Sequence, residues 1–204
     1  MTLLAAWFHD LDPFIVRFSG EWGIRWYGVS YLAGFLVAYL TLRGLARRGL
    51  AAVPVDRVAD AMMWLIGGAV IGGRLLYILV YDRSLLTEVT STFPFWGGLA
   101  INRGGMASHG GIIGVILAAV RISRGWRMPD GTLVGRCSVW HAFDLVALMC
   151  PAGLMFGRIA NFINGELLGR IHSPPGIPGP WWTVQFPSEL LEHSPTLTPE
   201  QTTR

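Results

Sequence analysis

The chain has 204 residues, of which 52% are hydrophobic and 14% charged, with a mean hydropathy of +0.45 and a formal net charge of +3. A soluble domain of this size is normally less apolar, so the composition excludes that class and indicates an integral membrane protein. All basic residues are arginines, spread between apolar segments. The sequence shows no clustered basic face, which argues against a nucleic-acid-binding protein.

The N-terminal stretch, residues 1–22, mixes aromatic side chains with three acids, which is typical of an amphipathic segment at the membrane interface. The first predicted span, 24–42, has close to the ~20 residues needed to cross the hydrocarbon core. It opens with Trp26 and Tyr27. Aromatic residues at such a boundary most often anchor a helix in the headgroup region, and we interpret Trp26 in this way.

Three more apolar segments follow along the chain, at 58–80, 104–120 and 139–164. With the first span they predict an all-α fold, a polytopic transmembrane helical bundle of about four spans. Beyond Arg170 prolines are frequent enough to forbid a continuous helix. We therefore expect one domain over 1–190, followed by a flexible tail over 191–204.

Arg74 lies near the far end of the second span, directly after two glycines. A charge at this depth in a membrane is costly unless it is paired. Two interpretations are open. The side chain extends its guanidinium to the lipid headgroups, or it makes a functional or structural polar contact inside the protein.

The third span opens with the glycine-rich run 104–111, GGMASHGG. Glycine pairs let a backbone pack closely against another helix or a ligand. His109 is the only histidine of the chain that is flanked in this way. It is interpreted either as a functional side chain or as a histidine at a helix start that bonds to the backbone.

The fourth span ends in the run 157–170, GRIANFINGELLGR, which carries two arginines, two asparagines and a glutamate where a membrane helix is normally apolar. On an α-helix Arg158, Asn161 and Gly165 would share one face at i, i+3 and i+7. A guanidinium, an amide and bare backbone on one face predict a site for an anionic, oxygen-rich group. The alternative is a helix end with interfacial arginines and a glycine cap.

Arginine counts predict the orientation of the spans. The loops 43–57 and 121–136 carry four arginines each, and the loop between them carries no more than two. By the positive-inside rule these two loops are cytoplasmic, so the N-terminus lies outside. Tyr27, Arg74, His109 and the polar run that ends the fourth span would then all lie towards the outer face, as parts of one site.

The run 157–170 resembles the signature of the bacterial prolipoprotein diacylglyceryl transferases, G-R-x-x-N-F-I-N-x-E-x-x-G-R, and matches it without a gap. That family also has a W-Y-G run at its first helix, as at Trp26, and a G-G-R pattern, as at Arg74. It has G-G-M-S-F-H-G-G where this chain has the run 104–111, which keeps the histidine and the glycines. The resemblance covers about residues 14–190.

The resemblance implies a membrane-embedded enzyme of lipoprotein biosynthesis. Members of the family transfer the diacylglyceryl group of phosphatidylglycerol to the lipobox cysteine of a prolipoprotein signal peptide, forming a thioether and releasing glycerol phosphate. It further implies a multi-pass protein of the bacterial cytoplasmic (inner) membrane, with its active site towards the periplasmic face. We expect no cofactor, no metal and no nucleic-acid partner, since no His, Cys or carboxylate pair has the spacing of metal ligands.

The resemblance also implies roles for particular residues. Catalytic roles are implied for His109, Tyr27, Asn161 and Glu166. Binding of the phosphatidylglycerol phosphate is implied for Arg158, Gly169 and Arg74. His109 would take the thiol proton, because histidine titrates near neutral pH and the thiolate is the nucleophile. Arg158 would hold and neutralise the phosphate. Tyr27 and Asn161 would orient the headgroup. Glu166 would fix an arginine or the lipid glycerol, and Gly169 would keep the entrance to the site open.

Family members continue beyond the matched part, through an H-P-S-Q-L-Y-E segment and further transmembrane helices that supply another tyrosine and another arginine to the site. Two other functional classes therefore stay open. One is a polar-cored transporter or channel subunit, in which the intramembrane arginine and histidine line a permeation path. The other is an inactive, truncated homologue that binds lipid but transfers nothing.

Overall fold

The computed structural model describes residues 7–19, 22–89, 91, 95–100, 104–173 and 179–186. Within these ranges the helices are α1 (Trp26–Arg47), α2 (Val58–Val80), α3 (Ser108–Ser123) and α4 (Val139–Asn164). Three helical stretches of this described part are long and apolar enough to cross a membrane: α1, Val55–Val80 and α4. The predicted class, an all-α helical membrane protein, is confirmed.

The third helix begins later than its predicted span. The backbone at Gly104 and Gly105 has φ values of +84° and +80°, in the left-handed region that a right-handed helix cannot contain. Ala107 is extended, so α3 starts at Ser108. Its 16 residues reach about 24 Å, which is less than the ~30 Å of a hydrocarbon core.

Short strands flank the helices, and the predicted amphipathic N-terminal segment takes this form. The strands are β1 (Trp7–Phe8), β2 (Phe14–Ser19), β3 (Trp22–Arg25), β4 (Trp126–Arg127), β5 (Leu133–Val134) and β6 (Val184–Gln185). β2 and β3 form an antiparallel hairpin, as do β4 and β5, whereas β1 pairs with β6 in parallel. Each sheet therefore has two strands.

The chain divides into two compact units. One comprises residues 1–34 and 154–204, and the other comprises residues 35–153. The boundaries fall inside α1 and α4. The single domain predicted over 1–190 stays a prediction, and the tail predicted over 191–204 lies outside the described residues.

The unit of residues 35–153 has a hydrophobic core built from the second half of α1, the start of α2, the second half of α3 and the first half of α4, with Trp126 of β4. Leu42, Val53 and Val58 are its most deeply buried large side chains, each at most 2% exposed. Full burial of such a side chain stabilises a fold by roughly 1.5–3 kcal/mol. The loop before α2 is tied to the core by the Ala52 N–H, which donates to His141 Nε2 at 3.1 Å.

Glycines bring α2 and α3 into backbone contact. Gly68 lies opposite Gly114 and Gly72 lies opposite Gly110, so the helices run antiparallel. A methyl group added at any of these positions would overlap a backbone oxygen of the facing helix. Both helices thus carry a small-xxx-small pattern that permits close packing. The predicted packing role of the glycine pair at the start of α3 is confirmed at Gly110.

Gly68→Ala is expected to destabilise this helix pair, because the new methyl group meets the Gly114 carbonyl. Overpacking of this kind costs about 1–3 kcal/mol. The thermal unfolding midpoint of the detergent-solubilised chain should fall. Gly67→Ala, one residue earlier on α2, is the matched control, since no described atom lies within 4 Å of the added carbon. An equal loss from both substitutions would contradict the backbone contact.

Candidate functional site

The polar run of the fourth span forms a capped helix end. The Gly165 N–H donates to the Phe162 carbonyl at 3.1 Å, and the Glu166 N–H donates to the Asn161 carbonyl at 2.8 Å. These two bonds are the Schellman motif, with Gly165 in the left-handed conformation at φ +67°. The glycine cap that the sequence suggested as an alternative is therefore present. It fixes the direction in which the polar run leaves α4.

Arg158 and Asn161 lie within the last two turns of α4, as predicted, and three residues apart they share a side of the helix. Gly165 does not join them on that helical face, because its positive φ places it beyond the helix end. Arg158 is exposed and Asn161 is half-buried. Neither side chain has a hydrogen-bond or ion-pair partner among the residues that the structure describes. A guanidinium and an amide are thus available to a ligand.

Glu166 and Gly169 follow the helix end. The Asn164 side-chain amide donates to Glu166 Oε1 at 3.2 Å, and Glu166 is otherwise exposed. The Asn164 Oδ1 atom is buried and accepts no hydrogen bond within the described part of the chain. Gly169 is exposed, and no described atom lies within 4 Å of a carbon added to it. No described residue therefore fills the space around Gly169.

An aromatic clamp holds the end of α4 in the same unit, formed by Trp7, His9, Phe162 and Phe186. Trp7 stacks on Phe162 with ring centroids 5.6 Å apart, and His9 lies 4.8 Å from the Phe186 ring. His9 is 8% exposed, and its Nε2 donates to the Phe162 carbonyl at 2.7 Å. The β1–β6 ladder pairs Trp7 with Val184 and Phe8 with Gln185, and so joins strands from opposite ends of the chain. The clamp therefore braces the helix end that carries Arg158.

Sequence reasoning missed His9. Its partner carbonyl lies 153 residues away along the chain, and a two-residue strand has no alternation that a pattern could reveal. The only local signal is a histidine between an aromatic pair and an aspartate.

Tyr27 occupies the first turn of α1, directly after the β2–β3 hairpin. The Trp26 N–H donates to the Pro13 carbonyl at 3.0 Å, which ties the start of α1 to the residue before β2. The Tyr31 hydroxyl donates to the Tyr27 hydroxyl at 3.4 Å. Tyr27 and Glu166 belong to the same unit of the chain.

The hairpin before Tyr27 is held by charge and ring contacts. The Asp12 carboxylate accepts from the Phe14 N–H at 2.9 Å and from Arg17 at 3.2 Å. These bonds, the backbone one first, hold the pKa of Asp12 below its ordinary value. Arg17 and Arg25 lie over the Phe14 ring, 4.3 and 4.4 Å from its centroid. The start of α1 therefore has a defined support.

His109 is the second residue of α3, in the unit of residues 35–153. Its side chain is exposed, and its ring has no hydrogen-bond partner among the described residues. The backbone-bonded histidine suggested as one interpretation of the sequence is not found within that described part. Ala107, the residue before the helix, is buried, and its N–H donates to the Gly73 carbonyl at 3.0 Å.

Arg74 is 6% exposed, and its guanidinium donates to backbone carbonyls of the loop between α2 and α3. Of the two interpretations of its sequence position, the structure shows the polar contact inside the protein. Its predicted role in binding a phosphate stays a prediction.

The site residues divide between the two units. The first unit contains Tyr27, Arg158, Asn161, Glu166 and Gly169. The second contains Arg74 and His109. Their predicted meeting at one membrane face stays a prediction. Among the described residues no group of three or more His, Cys, Asp or Glu side chains is placed to hold a metal ion.

His9→Phe is expected to loosen the end of α4, because it keeps an aromatic ring in the clamp but removes the donor to the Phe162 carbonyl. One such bond is worth about 1 kcal/mol, so the Gly165 and Glu166 amides should exchange hydrogen roughly fivefold faster. Hydrogen exchange followed by mass spectrometry measures this. Phe8→Tyr, in the same strand, serves as the control. Unchanged exchange in His9→Phe would show that the helix end does not depend on the clamp.

The sequence is similar to those of a known protein family. A family model described as Prolipoprotein diacylglyceryl transferase matches residues 13–201. The chain is 45% identical over 183 residues to the phosphatidylglycerol–prolipoprotein diacylglyceryl transferase of Bdellovibrio bacteriovorus, covering 90% of this chain and 48% of that protein. It is 41% identical over 190 residues to the protein of the same name from Geobacter sulfurreducens, covering 91% and 66% of the two chains.

A third relative of that name, from Rhizobium meliloti, is 39% identical over 188 residues, covering 89% of this chain and 59% of the relative. The chain thus spans about half to two-thirds of the length of these relatives. The family match covers almost all of its residues, and the G-R-x-x-N-F-I-N-x-E-x-x-G-R run forms the capped end of α4. The chain belongs to the prolipoprotein diacylglyceryl transferase family.

Proposed function

We propose that this chain transfers the diacylglyceryl group of phosphatidylglycerol to the lipobox cysteine of a prolipoprotein. The names of its relatives state phosphatidylglycerol and prolipoprotein for those proteins. The observation that carries the proposal is the end of α4. There Arg158 and Asn161 offer hydrogen-bond donors that no described residue uses, beside a helix end fixed by its cap.

In the proposed reaction the cysteine sulfur bonds to the glyceryl carbon that carries the phosphate ester. The bond from this carbon to the ester oxygen breaks, and its electron pair leaves with that oxygen as glycerol phosphate. The thiol proton passes to a base. Negative charge therefore grows on the leaving phosphate, and a fixed cation beside it lowers the barrier.

Arg158 is proposed to be that cation. A guanidinium presents its N–H groups as a fork that matches two phosphate oxygens at once. Its exposure at the end of α4 leaves this fork open to a headgroup. Asn161, three residues on, carries an amide that both donates and accepts, which suits the hydroxyl groups of a glycerol headgroup.

Tyr27 and Glu166 are proposed to orient the same headgroup. Both residues belong to the unit that also contains Arg158 and Asn161. The carboxylate, held from one side by Asn164, has acceptor capacity left for a glycerol hydroxyl. Gly169 is proposed to keep the entrance open, in line with the open space around its Cα.

His109 is proposed to take the thiol proton. A neutral imidazole is the side chain best matched to proton transfer near pH 7, provided that a ring nitrogen is free. The exposed ring of His109 meets this condition, since no described residue bonds to it.

The reaction is proposed to take place at the periplasmic face of the bacterial cytoplasmic membrane. The support is the excess of arginine in the loops 43–57 and 121–136, which the positive-inside rule assigns to the cytoplasm. A site on the opposite side is where a secreted prolipoprotein and the outer-leaflet lipid are both accessible.

The test is a transfer assay with the chain reconstituted in phosphatidylglycerol vesicles and a synthetic lipobox peptide. The peptide mass should rise by one diacylglyceryl group with time. Arg158→Ala should lower the rate about 10²–10³-fold, as is typical when a group that stabilises developing charge is removed. Arg83→Ala, which removes an exposed arginine after α2, should leave the rate unchanged.

The results of this assay test the proposed proton acceptor, the transfer reaction and the transporter alternative separately. His109→Ala in the same assay should cost about 10²–10⁴-fold, and full activity in this variant would remove the base assignment. If the inserted wild-type chain binds phosphatidylglycerol but yields no peptide of increased mass, transfer by this chain is refuted and the lipid-binding homologue is correct. Solute flux without lipid chemistry would favour the transporter instead.

A further inference from the structure

We propose that Arg74 is a positioning residue: its guanidinium holds the backbone of residues 97–100 and 104–105 and thereby fixes the start of α3, where His109 lies. The consequence for the reaction rests on the proposed function. The structural claim does not, because it concerns only the contacts of Arg74 within its own unit.

Every N–H of the Arg74 side chain has an acceptor. Nε donates to the Gly98 carbonyl at 2.9 Å. Nη1 donates to the carbonyls of Gly104 and Gly105 at 2.7 and 2.8 Å. Nη2 donates to the Gly97 carbonyl at 2.6 Å and, more weakly, to the Ala100 carbonyl at 3.4 Å. A guanidinium has five N–H groups, so this set uses all of them.

The charge of Arg74 is balanced by carbonyl dipoles. The residue is only 6% exposed, and no ion pair to a carboxylate exists among the described residues. The Tyr77 ring adds a face 5.8 Å from the guanidinium carbon. A buried charge is tolerated only where its hydrogen bonds are satisfied. Removal of the Arg74 side chain would leave the carbonyls that now accept from it unpaired, and it would leave a cavity in place of the guanidinium.

The same stretch of α2 also holds the residue before α3. The Gly73 carbonyl accepts from the Ala107 N–H, and Ser108 begins the helix immediately afterwards. Gly105 packs so closely on Arg74 that a carbon added to it would lie 2.6 Å from Nη1. Residues 73 and 74 therefore determine both the course of the loop and the point at which α3 starts.

This geometry argues against direct contact between Arg74 and a lipid phosphate. A phosphate could reach the guanidinium only by displacing one of the carbonyls that now accept from it. Arg158 needs no such exchange, since its donors are unused among the described residues. The two arginines are thus assigned different tasks: Arg74 positions the backbone, and Arg158 binds the ligand.

Hydrogen exchange in lipid nanodiscs tests the structural claim without an activity assay. The reporter amides are those of Gly97, Leu99, Ala100 and Ala107, each of which donates to a backbone carbonyl. Arg74→Lys offers at most three donors and lacks the planar fork, so exchange at these amides should rise about tenfold or more. Exchange within residues 110–118 of α3 should stay within about twofold, because glycine packing holds that part.

A second pair of variants approaches the contact from the loop. Gly104 and Gly105 have almost the same positive φ, so alanine strains the backbone equally at both positions. At Gly105 the added methyl group meets Arg74 Nη1 and the Tyr77 ring that lies beside the guanidinium, whereas at Gly104 no described atom lies within 4 Å. Gly105→Ala should therefore reproduce the effect of Arg74→Lys on the reporter amides, and Gly104→Ala should not.

Three results would overturn the proposal. The first is unchanged exchange at the reporter amides in Arg74→Lys. The second is an equal loss of protection throughout 97–118, which would make Arg74 a general stability residue. The third is protection in the wild type that appears only when phosphatidylglycerol is added, which would make Arg74 a lipid ligand.

In an active preparation, Arg74→Lys should lower kcat at least tenfold and leave KM for phosphatidylglycerol within about threefold, whereas loss of a phosphate contact would raise KM.

Discussion

A guanidinium inside an apolar helix is stable only if acceptors surround it, and this requirement shapes the unit of residues 35–153. Arg74 meets it with the carbonyls of Gly97, Gly98, Gly104 and Gly105, so these described parts of the loop return to α2. That return needs left-handed backbone at Gly104 and Gly105 and leaves α3 to begin at Ser108. The glycines of α2 and α3 then allow the two helices to touch. One buried charge is thus satisfied by the described parts of the loop that joins these two helices.

Arg158, at the end of α4, is exposed, so this requirement does not apply to it. Its donors have no partner in the described part of the chain, and the backbone beside it is already satisfied by the Schellman motif at Gly165. The aromatic clamp of Trp7, His9, Phe162 and Phe186 braces this end from the side. A rigid backbone with unused donors is suited to bind an external anion, and the family's lipid substrate carries one in its phosphate. The two arginines thus differ in that the donors of Arg74 are used within the protein, whereas those of Arg158 have no partner among the described residues.

The helices could be predicted from the sequence because an apolar run of about 20 residues rarely forms anything but a membrane-spanning helix. Family membership could be predicted because the run 157–170 combines polar residues and glycines in an apolar setting. The strand pairing of residues 7–8 with 184–185 could not, since it joins two-residue strands from opposite ends of the chain. The partners of Arg74 were equally hidden, because they lie 23 to 31 residues further along a loop without periodicity. Gly165 as a cap was predicted only as an alternative, and its positive φ decides between a helical face and a helix end.

We expect Arg158 at the end of α4 to receive the phosphate of phosphatidylglycerol, and photoaffinity labelling can locate this contact. The reconstituted chain is irradiated with phosphatidylglycerol that carries a photoreactive group in its headgroup, and labelled peptides are mapped by mass spectrometry. If Arg158 binds the phosphate, labelling should concentrate in residues 154–170 and fall at least tenfold in Arg158→Ala. Unlabelled phosphatidylglycerol should displace the label, whereas phosphatidylcholine should not. Labelling spread evenly over the apolar helices, or unchanged in Arg158→Ala, would contradict it.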